Sequence, residues 1–381
     1  MTSARAVAAG ALALALSACG QPAPPGPGAS SVSSAAAQTQ SSATTGLPTQ
    51  SSASAATTVP VTPSPPPGSG AAPAASATPG SITLAFAGDA NAFEAAGSAT
   101  TAGLGEAGRL LAAADFAMVN LETALADDQT GLVKQPKLYT FVTGSAFPQM
   151  LQREGVDLVS LANNHAMDFG PEGMARTLAI RQASSLPMIG VGRTEDEAFA
   201  PWTGTVKGRG LSVFVGNDVL EENMDWRPTG QQPGVAMVKT KAGLDRLVSG
   251  VAAARRADPA RIIVVYMHWG TDYQVCTDAR QMLIAQRLAD AGATVVVGTH
   301  AHRVQRVTSV SQTLVAYGLG NFTFFSTRVE TRETGVLTVT VPPSGRPTWA
   351  WAPGAIVDGR PVLLSGPDRQ QALDRQRSLS C

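Results

Sequence analysis

Between Gly20 and Gly80 the chain carries no Lys, Arg, Asp or Glu and consists almost wholly of Ser, Ala, Thr, Pro, Gly and Gln. Such a stretch cannot bury enough apolar surface to offset the entropy of ordering it, so it supplies no core. Any fold must therefore be built from about Ser81 onward. Residues 19–80 read as a flexible, partly polyproline tether whose ends, as a coil, lie roughly 40–45 Å apart.

Ahead of the tether, Arg5 is the only charge before an unbroken run of Ala, Val, Leu, Gly and Ser from Ala6 to Ala18. That run is too short to span a bilayer and has the form of a signal-peptide apolar region, residues 1–18. It ends in Leu16-Ser17-Ala18-Cys19, which resembles a bacterial lipobox with Cys19 as the lipid attachment site. The expectation is an exported lipoprotein, lipid-anchored to a bacterial membrane, with its folded domain outside the cytoplasm. Stable anchoring needs more than one acyl chain.

The remaining residues suffice for one large α/β domain, placed at 81–365, with 366–381 as a C-terminal tail. Basic and acidic residues balance at 28 each and no Lys/Arg run occurs, so a nucleic-acid partner has no support. Of the three cysteines, Cys276 and Cys381 remain once Cys19 is lipidated, and an oxidising compartment permits them to pair.

Short β-branched apolar runs recur at Ile82 to Ala87, Phe116 to Asn120, Leu158 to Ala162, Met188 to Val191, Leu211 to Val215, Ile262 to Met267, Thr294 to Val297 and Thr313 to Tyr317. Their lengths suit buried strands. Helical patterns lie between them at Pro171 to Ala183, from a Thr194/Glu197 capping box, at Ala242 to Arg256 and at Asp278 to Asp290. Gly335 to Val341, Thr348 to Trp351 and Ala355 to Leu364 read as closing strands. The order implies a layered α/β fold with helices covering sheet faces.

All four histidines stand at or just after the C-terminal end of an expected strand, where function concentrates in open α/β sheets. They are His165, His268, His300 and His302, and the carboxylates Asp89 and Glu122 occupy equivalent positions. Imidazole, carboxylate and amide oxygen together suit Mn, Fe or Zn. On an extended segment, His300-Ala301-His302 would point both rings to one face, to serve one metal or two adjacent ones. A bridging carboxylate then holds two cations roughly 3.5–4 Å apart and acidifies the water between them.

The series Gly88-Asp89, Asn120-Leu121-Glu122, Leu161 to Gly170, His268-Trp269-Gly270, Gly298 to His302 and Tyr317 to Phe322 resembles the CapA family. That family is associated with capsule and poly-γ-glutamate synthesis or export, and its domain is similar to the calcineurin-like metallophosphoesterases. The resemblance covers about residues 82–325 and implies an α/β/β/α sandwich. It further implies Asp89, Glu122, Asn164, His268, His300 and His302 as ligands of one or two divalent metals, with Glu122 the bridge. His165 would be the general acid or a clamp on the attacked group, with Asp168 orienting it. Gly320 and Asn321 would shape the loop beside the site, chiefly as a structural turn.

One residue departs from the phosphoesterase pattern Asp-x-His: the third position is Asn91, a poorer ligand. Lys137, Tyr139 and Arg303 read as surface. Two functions stay open. One is a metal-dependent hydrolase or transferase at the cell surface, acting on an anionic ester such as a phosphoester or on an amide of a polymer such as poly-γ-glutamate, alongside other synthesis or export components. The other is a non-catalytic polymer-binding or assembly factor using the same groove.

Overall fold

Alternation within one buried strand decides the layering. In Ile82–Ala90, residues Ile82, Leu84 and Phe86 enter one apolar core while Ala85 and Ala87 enter another, as a period of two requires. The computed structural model describes residues 80–381 apart from 222, 223 and 327. The expected signal peptide, the tether to residue 79 and Cys19 lie outside the described residues. Among the described residues no helix is long and apolar enough to cross a membrane.

An eight-stranded sheet runs in the order Arg360–Leu363, Thr348–Val357, Glu333–Val341, Ile82–Ala90, Phe116–Leu121, Leu158–Ser160, Met188–Ile189, with Asn321–Thr323 paired beside the end of Ile82–Ala90. A six-stranded sheet runs Val307–Val310, Thr313–Ala316, Val295–His300, Ile262–Trp269, Arg209–Asn217, Trp202–Val206. Phe86, Met118 and Leu158 of the first sheet meet Val213, Val264, Tyr266 and Val297 of the second in a shared core. Helices Glu106–Ala112, Ala146–Arg153 and Gly170–Ala183 cover the outer face of the first sheet through Leu111, Phe147, Leu151 and Met174. Helices Lys241–Ala257 and Ala279–Asp290 cover the second through Leu247, Val251, Ile284 and Leu288. The result is the α/β/β/α sandwich.

Several local expectations change. The run from Ala355 to Leu364 is not one strand. Asp358 and Gly359 both take positive φ, 49° and 75°, and turn the chain into a hairpin between Thr348–Val357 and Arg360–Leu363. Gly190, at φ 100°, likewise splits Met188 to Val191 into two short strands in different sheets. Residues 366–381 are more than a tail: Gly366–Ser378 is a helix, started by Pro367 in its first turn, that buries Ala372 and Gln376. The Thr194 hydroxyl caps only a single turn, Glu195–Ala198.

Candidate metal centre

Parity explains which side chains reach the space between the two sheets. Val264 and Tyr266 belong to the shared core, so His268, in step with them, also faces inward. Met118 and Asn120 do the same on Phe116–Leu121. Asp89 is out of step with Phe86, and the register slip between Phe86 and Asp89 returns it to the inner face. Gly88 makes that slip possible: a Cβ there would stand 1.8 Å from the Gly320 carbonyl oxygen, and the Asp89 N–H donates to that same oxygen at 3.0 Å.

The histidine pair does not form an extended segment. Val296 packs outward and Val297 inward, so simple alternation would send His300 away from the site. His300 ends its strand at φ 90°, and His302 has φ 54°. Two L-residues held at positive φ within three positions are strained, and this backbone turn brings both rings to the site. The His300 N–H donates to Asp89 Oδ2 at 3.0 Å, which ties the two sheets together there.

Two overlapping ligand groups result: Glu122, His268 and His300, and Asp89, Glu122 and His302. Glu122 is common to both. It is fully buried, and neither of its carboxylate oxygens has a hydrogen-bond partner among the described residues. The Nδ1 of His300 is buried and unpartnered in the same way. Burial, with Asp89 and Asp272 nearby, pushes the Glu122 carboxyl well above its ordinary range. Burial also raises Asp89, against the opposing pull of His302 and Asn120. Burial and neighbouring imidazoles hold His268 and His300 well below the ordinary histidine range, which favours neutral rings with one unprotonated nitrogen each. Orphaned buried carboxylate oxygens beside neutral imidazoles are the donor set that divalent cations satisfy.

Neighbours fix the orientation of these side chains. His268 Nε2 lies 2.9 Å from Asn164 Oδ1, and its Nδ1 lies 3.2 Å from Asn120 Nδ2, which also donates to Asp89 Oδ1 at 2.8 Å. His302 Nδ1 donates to Asn321 Oδ1 at 2.7 Å, so Asn321 sets a ring as well as shaping the loop. Gly320, at φ 69°, has room for no Cβ beside the Glu333 carbonyl at 2.9 Å. His165 Nδ1 donates to Asp168 Oδ2 at 2.7 Å, and its Nε2 stands 3.8 Å from Glu122. Burial lowers the His165 pKa, with Asp168 opposing. Asn91 is set differently: its Oδ1 accepts the Phe93 N–H at 3.1 Å, while its Nδ2 is buried without a partner among the described residues. Its one strong donor oxygen is thus used locally.

The bacterial capsule synthesis protein family PGA_cap matches residues 82–326. The chain belongs to that family. The capsule biosynthesis protein CapA of Bacillus anthracis is 25% identical over 268 residues, covering 69% of this chain and 62% of that protein. The PGA biosynthesis protein CapA of Bacillus subtilis is 28% identical, covering 50% and 48%. A probable polyglutamine synthesis accessory protein of Mycobacterium tuberculosis is 30% identical, covering 55% of each. The chain thus spans about half to three fifths of the length of these relatives. Among solved structures, the NAD nucleotidase of Haemophilus influenzae superposes with a TM-score of 0.47 at 14% identity, covering 79% of this chain and 63% of that one.

Beside the cluster this PGA_cap member has a cavity of about 360 Å³. Its walls include residues the sequence did not assign to the site. Lys137 was expected at the surface, yet its side chain is 5% exposed, because Asp168 and Glu221 each hold its Nζ at 2.9 Å and the Asn164 carbonyl accepts from it at 2.8 Å. Glu221 and Asp272 sit in loops with no periodic pattern to mark them. Asp272 lies 3.3 Å from His300 Nε2. Asn120 had a signal, two residues before Glu122 on the same inner face. Cys276 and Cys381 are joined by a disulfide, and Cys276 shares with Asp272 the loop between His268 and the helix Ala279–Asp290.

Proposed function

We propose that the chain is an accessory component in the synthesis, export or processing of a capsule-like polymer of the polyglutamate type, and that the cluster is a metal-dependent hydrolase site. The observation that carries the second part is Glu122, which belongs to both ligand groups and whose two buried oxygens have no hydrogen-bond partner among the described residues. Glu122, His268 and His300 would hold one divalent ion, and Asp89, Glu122 and His302 a second, with Asn164 beside the first. Such ions supply Lewis-acid charge to the attacked group and lower the pKa of water.

The chain's own groups account for the rest. Asp168 accepts from His165 Nδ1, so the Nε2 lone pair faces the cluster and can take a proton and return it to a leaving group. Lys137 holds Asp168 in place from its other side. The rings of Phe141 and His165, with centroids 4.3 Å apart, keep the imidazole fixed and shield it from water. Export through residues 1–18 and lipid attachment at Cys19 complete the proposal and would place the domain at the cell surface.

Assays of the Mn- or Zn-loaded full chain on a phosphodiester such as bis-p-nitrophenyl phosphate and on γ-glutamyl oligomers test the hydrolase reading. Turnover that His165→Ala abolishes while metal content stays unchanged is the expected result. The engaged oxygen of Asn91 favours a second reading, a binding or assembly factor with a weakened second metal position. Metal-loaded wild type that turns over neither substrate class would select that reading.

A further inference from the structure

We propose that Glu221 is a positioning residue of the metal centre: it fixes the Asn164 amide with its oxygen, not its nitrogen, toward the cluster. This deepens the metal-site reading above and rests on it.

An asparagine side chain can turn its amide over at little torsional cost, because its last torsion is broad and nearly two-fold. The two ends differ chemically. Oδ1 offers lone pairs to a cation, whereas the Nδ2 group offers only N–H donors and repels one. Whether Asn164 can serve as a ligand therefore depends on what holds its nitrogen away. Among the described residues Nδ2 has one acceptor, Glu221 Oε1 at 3.2 Å. An ionised carboxylate only accepts, so it selects the end of the amide that donates. Oδ1 is left on the other side, 2.9 Å from Nε2 of His268, which belongs to the first ligand group.

Glu221 is itself held in place. Lys137 Nζ stands 2.9 Å from the same Oε1 and donates to the Asn164 carbonyl at 2.8 Å, so main chain and side chain of Asn164 are fixed by one pair. The ammonium also lies 2.9 Å from Asp168 Oδ1 and over the ring of the core residue Trp226, at 5.1 Å from its centroid. The Lys137 side chain is buried, so solvent screens these contacts little. One ammonium thus braces two positioning carboxylates: Asp168, which orients His165, and Glu221, which orients Asn164. Glu221 itself is only partly buried and lines the cavity, in a loop after Arg209–Asn217, so its replacement opens no core.

Calorimetric titration of the full chain with Mn, for wild type, Glu221→Ala, Asn164→Asp and the double variant, tests this. Outer partners of metal ligands commonly contribute ten- to a hundredfold in affinity, so Glu221→Ala is expected to weaken Mn binding by about tenfold. An Asp at position 164 has two equivalent oxygens and no amide to orient. In that background Glu221→Ala is expected to cost less than about threefold, or to tighten binding by removing a like charge. A role limited to loop structure or to overall charge would weaken Mn binding equally in both backgrounds, and equal losses overturn the proposal. Should Glu221→Ala fail to fold, Glu221→Gln keeps the volume and can pair with the Asn164 amide in either orientation. A smaller loss that again disappears in the Asn164→Asp background is then expected, and no difference between backgrounds overturns the proposal. Wild type that binds no Mn refutes the metal reading and this proposal with it. Wild type and Glu221→Ala that bind Mn equally tightly overturn this proposal alone.

Discussion

Replacing both Cys276 and Cys381 by Ser should lower the melting temperature of the full chain by several degrees. The bond closes a loop of 105 residues. The loop-entropy relation gives about 16 cal/mol/K for that length, or about 4.7 kcal/mol at 25 °C, which is the upper end of what such bonds deliver. A domain of roughly 300 residues unfolds with about 0.6 kcal/mol/K, so the ceiling is a drop of about 8 °C. The local contacts around the bond cannot replace it. The helix Gly366–Ser378 buries only Ala372 and Gln376, and its ion pair from Arg375 to Glu333 is solvent-exposed on the arginine side. The last residues are otherwise held by the Thr277 N–H donating to the Cys381 carbonyl at 3.2 Å and by Arg306 donating to Ser380 at 3.1 Å. Scanning calorimetry without reductant gives the shift, and limited trypsin digestion should cut the freed helix at Arg375 or Arg377 in the double variant alone. A shift under about 2 °C in protein whose wild type has no alkylatable thiol at these positions would refute the entropy argument. Two alkylatable thiols in non-reduced wild type would refute the bond.

Three further outcomes are expected. Cys19→Ser should release the folded domain from the membrane fraction with its melting temperature unchanged, and full membrane retention would end the lipid-anchor proposal. A chain beginning at Ser81 should melt with the same midpoint as one beginning at Gly20, since a segment without a core has few contacts to lose; a large drop would show that the tether packs on the domain. Burial raises Asp115, but Lys207 and the Thr83 N–H and hydroxyl outweigh it and hold the carboxyl below its ordinary range. Its contribution is therefore present above the unfolded-state pKa and lost as pH falls through the folded-state value. Asp115→Asn should cost about 1–2 kcal/mol at pH 7, and urea titrations should show the gap closing as pH falls below about 4; a gap independent of pH would contradict the assignment.

The layering was legible because each buried strand is a short apolar run with its helix partners between, and periodicity alone requires covered sheet faces. The positions of His165, His268 and the carboxylates at strand ends followed from the same runs. The aim of His300 and His302 did not, since it depends on two positive-φ residues that ordinary side-chain preferences would not forecast. Lys137 was misread because a lysine between polar neighbours looks solvated until Asp168 and Glu221, distant in sequence, close around it. Asp272 and Glu221 had no pattern at all, being loop residues placed by the ends of other elements. The hairpin at Asp358-Gly359, by contrast, was written in the sequence as a turn pair and lost inside a longer apolar run.

The sharing of Glu122 by two cation positions is tested most directly by metal content after equilibration with Mn or Zn and removal of free ions, measured by inductively coupled plasma mass spectrometry on wild type, Glu122→Gln and His302→Ala. Gln keeps the volume of Glu122 and removes its charge. Glu122→Gln is expected to lose metal from both positions, while His302→Ala loses it from one and keeps the ion held by Glu122, His268 and His300. Glu122→Gln retaining the full wild-type complement would contradict the account.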